Sequence, residues 1–241
     1  MLILRNLLFN LVFFTFSFLA SLFLIWSILL PQKWTIKIIR NCYFGGVLLI
    51  ERYILGLDYR IEGWENVPTQ GPFILAAKHQ SAYETLKLPY IFEDVAIVLK
   101  RELTWLPLWG WYPRAMGMIP IDRGSAKVAM ASILKGSKRI IDKERRPLLI
   151  FPQGTRTAVG EKRKYKFGIA RIYEAVNAPV VPVALDSGVF WGKNKFWKRS
   201  GVVTIKFLPP IQPGLPMDQF MTRLENDIET ASDKLLEKPT S

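Results

Sequence analysis

The sequence predicts an α/β fold: a mostly parallel or mixed open sheet flanked by helices, joined to an N-terminal hydrophobic membrane-anchoring helix or two-helix hairpin. Three observations predict it. Twenty-four consecutive residues, Leu7 to Leu30, carry no charge. From Leu57 onward, seven short apolar runs appear, several of them separated by helical stretches. Residues able to do chemistry stand just past several of those runs, where an open α/β sheet keeps its reactive loops.

The N-terminal run is rich in Leu and Phe. As a helix it would be roughly 36 Å long, enough to cross a hydrocarbon core of about 30 Å. It is too long for a signal peptide, its basic prelude is only Arg5, and no small-residue cleavage site follows. After Pro31 a second apolar stretch, Trp34 to Leu57, is broken by Lys37, Arg40, Glu51 and Arg52. That pattern suits an amphipathic helix lying in the interface. Two helices hinged at Pro31 could enter one leaflet and return. Lys33, Lys37 and Arg40 outnumber Arg5 across the first run, so the downstream domain is expected on the cytoplasmic face of the membrane. Residues 1–56 read as the anchoring segment and 57–241 as one catalytic domain. Cys42 is the single cysteine, which rules out an intrachain disulfide and fits a reducing compartment.

The expected strands are Tyr59 to Gly63, Phe73 to Ala77, Val95 to Leu99, Met116 to Ile121, Leu148 to Phe151, Val180 to Leu185 and Val202 to Phe207. The clearest helix is Ser125 to Lys143, with Val128, Ala131, Ile133, Leu134, Ile140 and Ile141 near one stripe and Lys or Arg elsewhere. Tyr165 to Val176 and Met217 to Glu237 are two more.

The net charge of +13 has three classes of partner: nucleic acid, anionic lipid, or an acidic protein and phosphorylated substrate. No zinc-finger spacing or nucleic-acid motif is present, so nucleic acid is not expected. In WGKNKFWKRS, Trp191 to Ser200, cations alternate with aromatic rings. Such a segment fits a membrane headgroup layer, the plain alternative being a solvated loop. TWLPLWGWYP, Thr104 to Pro113, holds three tryptophans and a tyrosine. It could line a slot for an acyl chain, sit at the bilayer surface, or pack as a core loop.

His79 is the only histidine, and Glu84 follows five positions later in KHQSAYE. The carboxylate could hold the imidazole in the tautomer a general base needs. A second signal is GMIPIDRG, Gly117 to Gly124, a strand running into a turn with Arg123 near its end. The third is FPQGTR, Phe151 to Arg156, a strand followed by a Gly turn and a fixed cation. The fourth is the apolar strand APVVPVALDSG, Ala178 to Gly188, which contains Pro182. Arg123 and Arg156 can each offer a bidentate fork to a phosphate, and Lys100 and Lys166 stand at plausible supporting positions.

In this order and spacing the four motifs resemble the glycerolipid acyltransferase family, specifically its 1-acylglycerol-3-phosphate acyltransferases. The resemblance covers roughly Tyr59 to Phe207 and extends to the hydrophobic N-terminus. It implies His79 and Glu84 as the catalytic pair, and Arg123 with Gly154, Thr155 and Arg156 as the acceptor-binding blocks. Pro182 falls in the block linked to the acyl donor or to structure. The implied reaction is acyl transfer from an acyl thioester, of acyl carrier protein or coenzyme A, to a lysophosphatidate hydroxyl, giving phosphatidic acid. Thioester and membrane lipid would be its partners, with no metal and no cofactor beyond the donor. A same-fold alternative acylates glycerol-3-phosphate or another lysolipid, and a remoter one is a non-catalytic membrane scaffold.

Two positions depart from the family pattern. Glu84 stands where the usual acid is aspartate, and its longer arm can reach the same ring nitrogen. Gln153 replaces the usual glutamate of the third motif: it keeps a carbonyl acceptor and gains a donor, but cannot pair ionically with Arg156. Ser81, between the dyad residues, lacks the Gly-x-Ser-x-Gly setting of an esterase nucleophile, so direct transfer is expected without an acyl-enzyme.

Overall fold

The computed structural model describes residues 2–122 and 124–237. Its centre is a seven-stranded sheet: β1 (Leu57–Glu62), β2 (Ile74–Ala77), β3 (Ala96–Lys100), β4 (Ile119–Ile121), β5 (Leu148–Ile150), β6 (Val180–Leu185) and β7 (Gly201–Phe207). The spatial order is β1-β7-β6-β2-β5-β3-β4, with every neighbouring pair parallel except β6 with β7. The sheet is therefore mixed, as the sequence predicts. All seven expected strands form. The fourth is shorter than its apolar run, because Gly117 adopts a left-handed φ of +71° and turns the chain before Ile119.

The helices are α1 (Leu2–Phe23), α2 (Gln32–Ile38), α3 (Gly45–Ile50), α4 (Tyr83–Ile91), α5 (Trp111–Ala115), α6 (Ala126–Lys138), α7 (Gly168–Val176), α8 (Ser187–Phe190) and α9 (Met217–Glu237). The Ser125 side chain caps α6 by accepting from the Val128 N–H. A π-helical stretch, Arg139–Lys143, prolongs α6 to the end of the predicted segment. Alternate strand residues face opposite sides, so Ile74 and Ala76 pack with α7 and α9 residues such as Ile169, Ile172, Phe220 and Leu224. Leu75 and Ala77 face the other way, toward Leu88 of α4 and Phe9 of α1.

That second face brings the N-terminal helices into the body of the protein. Phe9 is fully buried, and Trp191 meets its ring edge-on at 5.4 Å. Asn6 is also buried, donating to the Lys198 carbonyl and accepting the Lys198 N–H. Near the other end of α1, the Tyr112 hydroxyl donates to the Ser21 carbonyl. The opposite face of α1, with Leu4, Leu7, Leu11, Phe14 and Phe18, is exposed. α1 also passes closely over α3: a side chain at Gly46 would place its Cβ 2.3 Å from Phe16 Cζ, so the Phe16 ring would have to move.

Between Pro31 and Gly56 the chain is helical, alternating α2 and α3 with π-helical stretches Ile39–Phe44 and Glu51–Leu55. The sequence reading places its four charges at an interface. Two of them turn inward instead. Glu51 is buried and accepts from Lys87 Nζ of α4 at 2.6 Å, and Arg40 Nε donates to the Tyr90 carbonyl. Both bind the second helical segment to α4, because a charge leaving water requires such a partner.

Candidate active site

The β2, β3, β4, β5 and β6 strands run parallel within the sheet, so their carboxyl ends share one edge. From β2 the chain reaches β3 on one side, and from β5 it reaches β6 on the other. The crevice at such a reversal is where open α/β sheets bind ligands. His79 lies two residues past β2, at this point.

The loop is built around Glu84, in the first turn of α4 and fully buried. One carboxylate oxygen, Oε1, accepts from His79 Nδ1 at 2.8 Å and from the backbone N–H groups of Gln80 and Ser81 at 2.6 Å each. The other, Oε2, accepts from the Ser187 hydroxyl at 2.7 Å. Four donors therefore satisfy a carboxylate that would be costly to bury alone. Ser187 opens α8 directly after β6, and no sequence signal distinguishes it from an ordinary serine past a strand.

With Nδ1–H committed to Glu84, Nε2 is the ring nitrogen left for a substrate proton. The ring stacks on Phe151 at 4.0 Å and 18°, which fixes its plane. Its backbone is held as firmly: Gln153 Oε1 accepts the His79 N–H at 2.8 Å, and the Thr157 N–H and hydroxyl donate to the His79 carbonyl. Gln153 thus keeps the acceptor function at its position, while its Nε2 has no partner among the described residues. Ser81 is buried with its hydroxyl accepting from the Tyr83 N–H, a helix-capping arrangement unlike that of an activated nucleophile.

A cavity of about 530 Å³ opens beside the dyad. Its polar lining includes His79, Thr85, Lys100, Thr155 and Arg156. Most of its lining is apolar, including Leu24 just past α1, Ile39 and Phe44 of the π-helical stretch, and Trp109, Met116 and Met118. That volume lies within the range of small-molecule sites. TWLPLWGWYP divides its labour: Trp109, Tyr112 and Pro113 line the cavity, while Trp105, Leu106 and Trp111 are exposed. Ala20, Ser21 and Tyr43 also contribute, and sequence reasoning did not place them at a site.

The structure brings His79, Glu84, Lys100, Thr155 and Arg156 together. Lys100 is half-exposed and ion-paired with Glu102 at 3.3 Å. Gly154 makes the turn that presents Thr155 and Arg156: it has a φ of +70°, and its N–H donates to the Phe151 carbonyl. Lys166 and Pro182 do not line the cavity. The Lys166 stem lies behind Gly154, where an added Cβ would stand 3.3 Å from its Cγ, and the residue is exposed. Pro182 is buried in β6 opposite Ala76, and its carbonyl accepts the Leu208 N–H where β7 has already ended. Its missing N–H costs nothing there, so its place is in the sheet. Arg123 lies outside the described residues.

Behind Ser187, Asp186 is buried and accepts the Thr204 N–H, and burial pushes its carboxyl up to about 6. Lys78 Nζ, on the other flank of His79, donates to Glu229 of α9 at 2.7 Å, and Tyr165 donates to the same carboxylate.

A family model described as Acyltransferase matches residues 58–186, more than half of the chain. The chain belongs to the acyltransferase family. Among curated acyltransferase relatives, the 1-acyl-sn-glycerol-3-phosphate acyltransferase of Pseudomonas aeruginosa is 34% identical over 168 residues, covering 70% of this chain and 64% of that protein. The enzyme of the same name from Saccharomyces cerevisiae is 28% identical over 166 residues, covering 67% and 54% respectively. The matched region is thus less than two thirds of either relative's length. The crystal structure of the 1-acyl-sn-glycerophosphate (LPA) acyltransferase PlsC from Thermotoga maritima superposes with a TM-score of 0.82 over all of both chains at 22% identity. The acyltransferase fold therefore extends to the N-terminal helices as well as the sheet.

Proposed function

We propose that the chain transfers a fatty acyl group from an acyl thioester to the free hydroxyl of 1-acylglycerol-3-phosphate, giving phosphatidic acid. The observation that carries this reading is the His79–Glu84 pair, bonded at 2.8 Å, with His79 lining a largely apolar cavity that Arg156 and Lys100 also line. Relatives named for this reaction support it.

In the proposed mechanism, His79 Nε2 takes the proton of the acceptor hydroxyl as its oxygen attacks the thioester carbonyl. The tetrahedral intermediate collapses by breaking the carbon–sulfur bond, and the leaving thiolate takes the proton from the imidazolium. Glu84 stabilises that imidazolium through Nδ1–H, and general-base help of this kind is worth about 10²–10⁴-fold. Phosphate held by Arg156 and Lys100 turns binding energy into orientation of the hydroxyl. The acyl chain occupies the apolar part of the cavity. Either acyl carrier protein or coenzyme A satisfies this chemistry as donor.

Anchoring in a single leaflet, with the catalytic domain on the cytoplasmic face, completes the proposal. Asn6 and Ser21 both bond to the catalytic domain and lie about 22 Å apart along α1. A helix crossing the bilayer would drag charged domain surface near Asn6, including Arg199, into hydrocarbon. Lying flat, α1 gives its exposed Leu and Phe residues to lipid and its other face to the sheet. The net charge of +13 supports the cytoplasmic side, whose leaflet carries the anionic lipid.

Turnover should be measured with lysophosphatidate, lysophosphatidylcholine and monoacylglycerol against one acyl thioester. Strong preference for lysophosphatidate, lost in Arg156→Ala mainly through KM, is expected. Equal turnover of the acceptor without phosphate would overturn the assignment.

A further inference from the structure

The loop between α8 and β7, residues 191–200, takes no part in the reaction above. It is a built projection. The Arg199 N–H donates to the Phe190 carbonyl and closes its base, and Asn194 at φ +54° makes the turn at its tip. Lys198, in the middle of its basic sequence, does not face solvent. It is 4% exposed, its ammonium donates to Asn10 Oδ1, and the rings of Phe9, Trp191 and Phe196 lie 5.2, 5.0 and 5.8 Å away. This cation, with the two Asn6–Lys198 backbone bonds, fastens the loop to the first turns of α1.

What the fastening leaves outside is specific. Phe196 is 48% and Trp197 is 50% exposed, packed edge to face at 4.9 Å, and Lys195 and Arg199 flank them in the open. Asn10, which holds Lys198, lies on the flank of α1 between its buried Asn6 and Phe9 and its exposed Leu7 and Phe14. Through Lys198 and Asn10 the aromatic pair is therefore tied to the N-terminal half of α1, whose outer face is apolar. Near the C-terminal end, Trp105 and Trp111 are exposed beside Tyr112, which bonds to Ser21. Exposed tryptophans accompany both ends of the helix, and tryptophan favours the boundary between headgroup and acyl chain.

We propose that residues 193–199 form a second membrane-docking element, inserting Phe196 and Trp197 at the acyl boundary while Lys195 and Arg199 contact anionic phospholipid headgroups. The proposal rests on the reading of α1 as lying in one leaflet. The tie to α1 and the sign of the flanking charges select an anionic leaflet as the occupant. The loop would fix the rotation of the domain about α1, and so the angle at which the cavity meets lipid.

The test uses full-length protein carrying Cys42→Ser and one new cysteine bearing a polarity-sensitive fluorophore. The labelled positions are Leu11 on α1, Phe196 on the loop and Thr222 on the exposed side of α9. Each is mixed with phosphatidylcholine vesicles, with or without phosphatidylglycerol. Blue shifts at 11 and 196 but not at 222, larger at 196 when phosphatidylglycerol is present, are expected. Lys195→Gln should lower partition onto the anionic vesicles about fivefold, with little effect on phosphatidylcholine alone. A shift at 11 with none at 196 overturns the loop while leaving α1 in the membrane. No shift at either position removes the membrane reading itself, and the loop with it. A shift at 196 indifferent to phosphatidylglycerol overturns the assignment to anionic lipid.

Discussion

The Ser187 hydroxyl donates to Glu84 Oε2, the one carboxylate oxygen that does not face His79. A residue just past β6 thereby helps position an acid that begins the helix after β2. Ser187→Ala is expected to lower kcat about tenfold with little change in KM, since a hydrogen bond to a charged group is worth about 1.5–3 kcal/mol. With one donor fewer, the carboxylate is held less firmly against Nδ1, so the loss should fall on kcat and not on KM. Ser187→Thr should restore kcat. An unchanged kcat would reduce Ser187 to packing.

His79→Ala and Glu84→Ala should separate by stability as well as by rate. His79→Ala is expected to abolish transfer, by about 10³-fold or more, while unfolding cooperatively near the wild-type temperature. Glu84→Ala should be nearly as inactive and also less stable. It orphans the Gln80 and Ser81 N–H groups and the Ser187 hydroxyl, all buried. Glu84→Gln, which keeps acceptor capacity, should recover stability but not rate. Thermal melts in detergent beside the activity assay decide this.

The buried Glu51–Lys87 pair joins the second helical segment to α4 one turn beyond Glu84. Lys87 also lies 5.3 and 5.0 Å from the rings of Tyr59 and Tyr83. Glu51→Leu or Lys87→Met alone should destabilise by about 3–5 kcal/mol, because each leaves an uncompensated buried charge. The double variant should recover most of that loss. A double-mutant cycle with no coupling would show that the pair is not what holds the segments together.

Asp186 predicts a pH dependence of stability. Its carboxyl is raised from 3.8 to about 6 by burial, so between these values the folded state binds the proton that the unfolded state has released. The contribution is complete below about 4 and is lost as pH rises through about 6. Asp186→Asn retains an acceptor for the Thr204 N–H without the buried charge. It should raise stability at pH 7 by up to about 3 kcal/mol and flatten the decline between pH 4 and 6, read as melting temperature against pH.

Most of the strands were legible because they are short runs of Ile, Val, Leu or Ala that no amphipathic helix would produce; β1, LDYRIE, is the clearest exception, alternating apolar with polar residues. The strand edge carrying the chemistry was legible for the same reason, since His79 and the Phe151–Arg156 turn follow their strands directly. Strand order was not. Nothing in Leu57–Glu62 or Gly201–Phe207 announces that these strands pair with each other and run against the other five. Buried polar partners were also hidden. Ser187, Glu51 and Lys198 read as ordinary polar residues, and only their partners reveal that they point inward. Gln153 stands between: its retained acceptor was visible in the side chain, but the His79 N–H that uses it was not.

Because α1 plugs Phe9 into the core and supplies Ala20 and Ser21 to the cavity, cutting it away would leave no intact enzyme. A truncated chain would begin with a breached core, a dangling loop at Lys198 and a reaction chamber open along one side. Under the proposed anchoring, preparations of this protein carry their amphiphile with them. Lipid or detergent would then be the last layer of the fold.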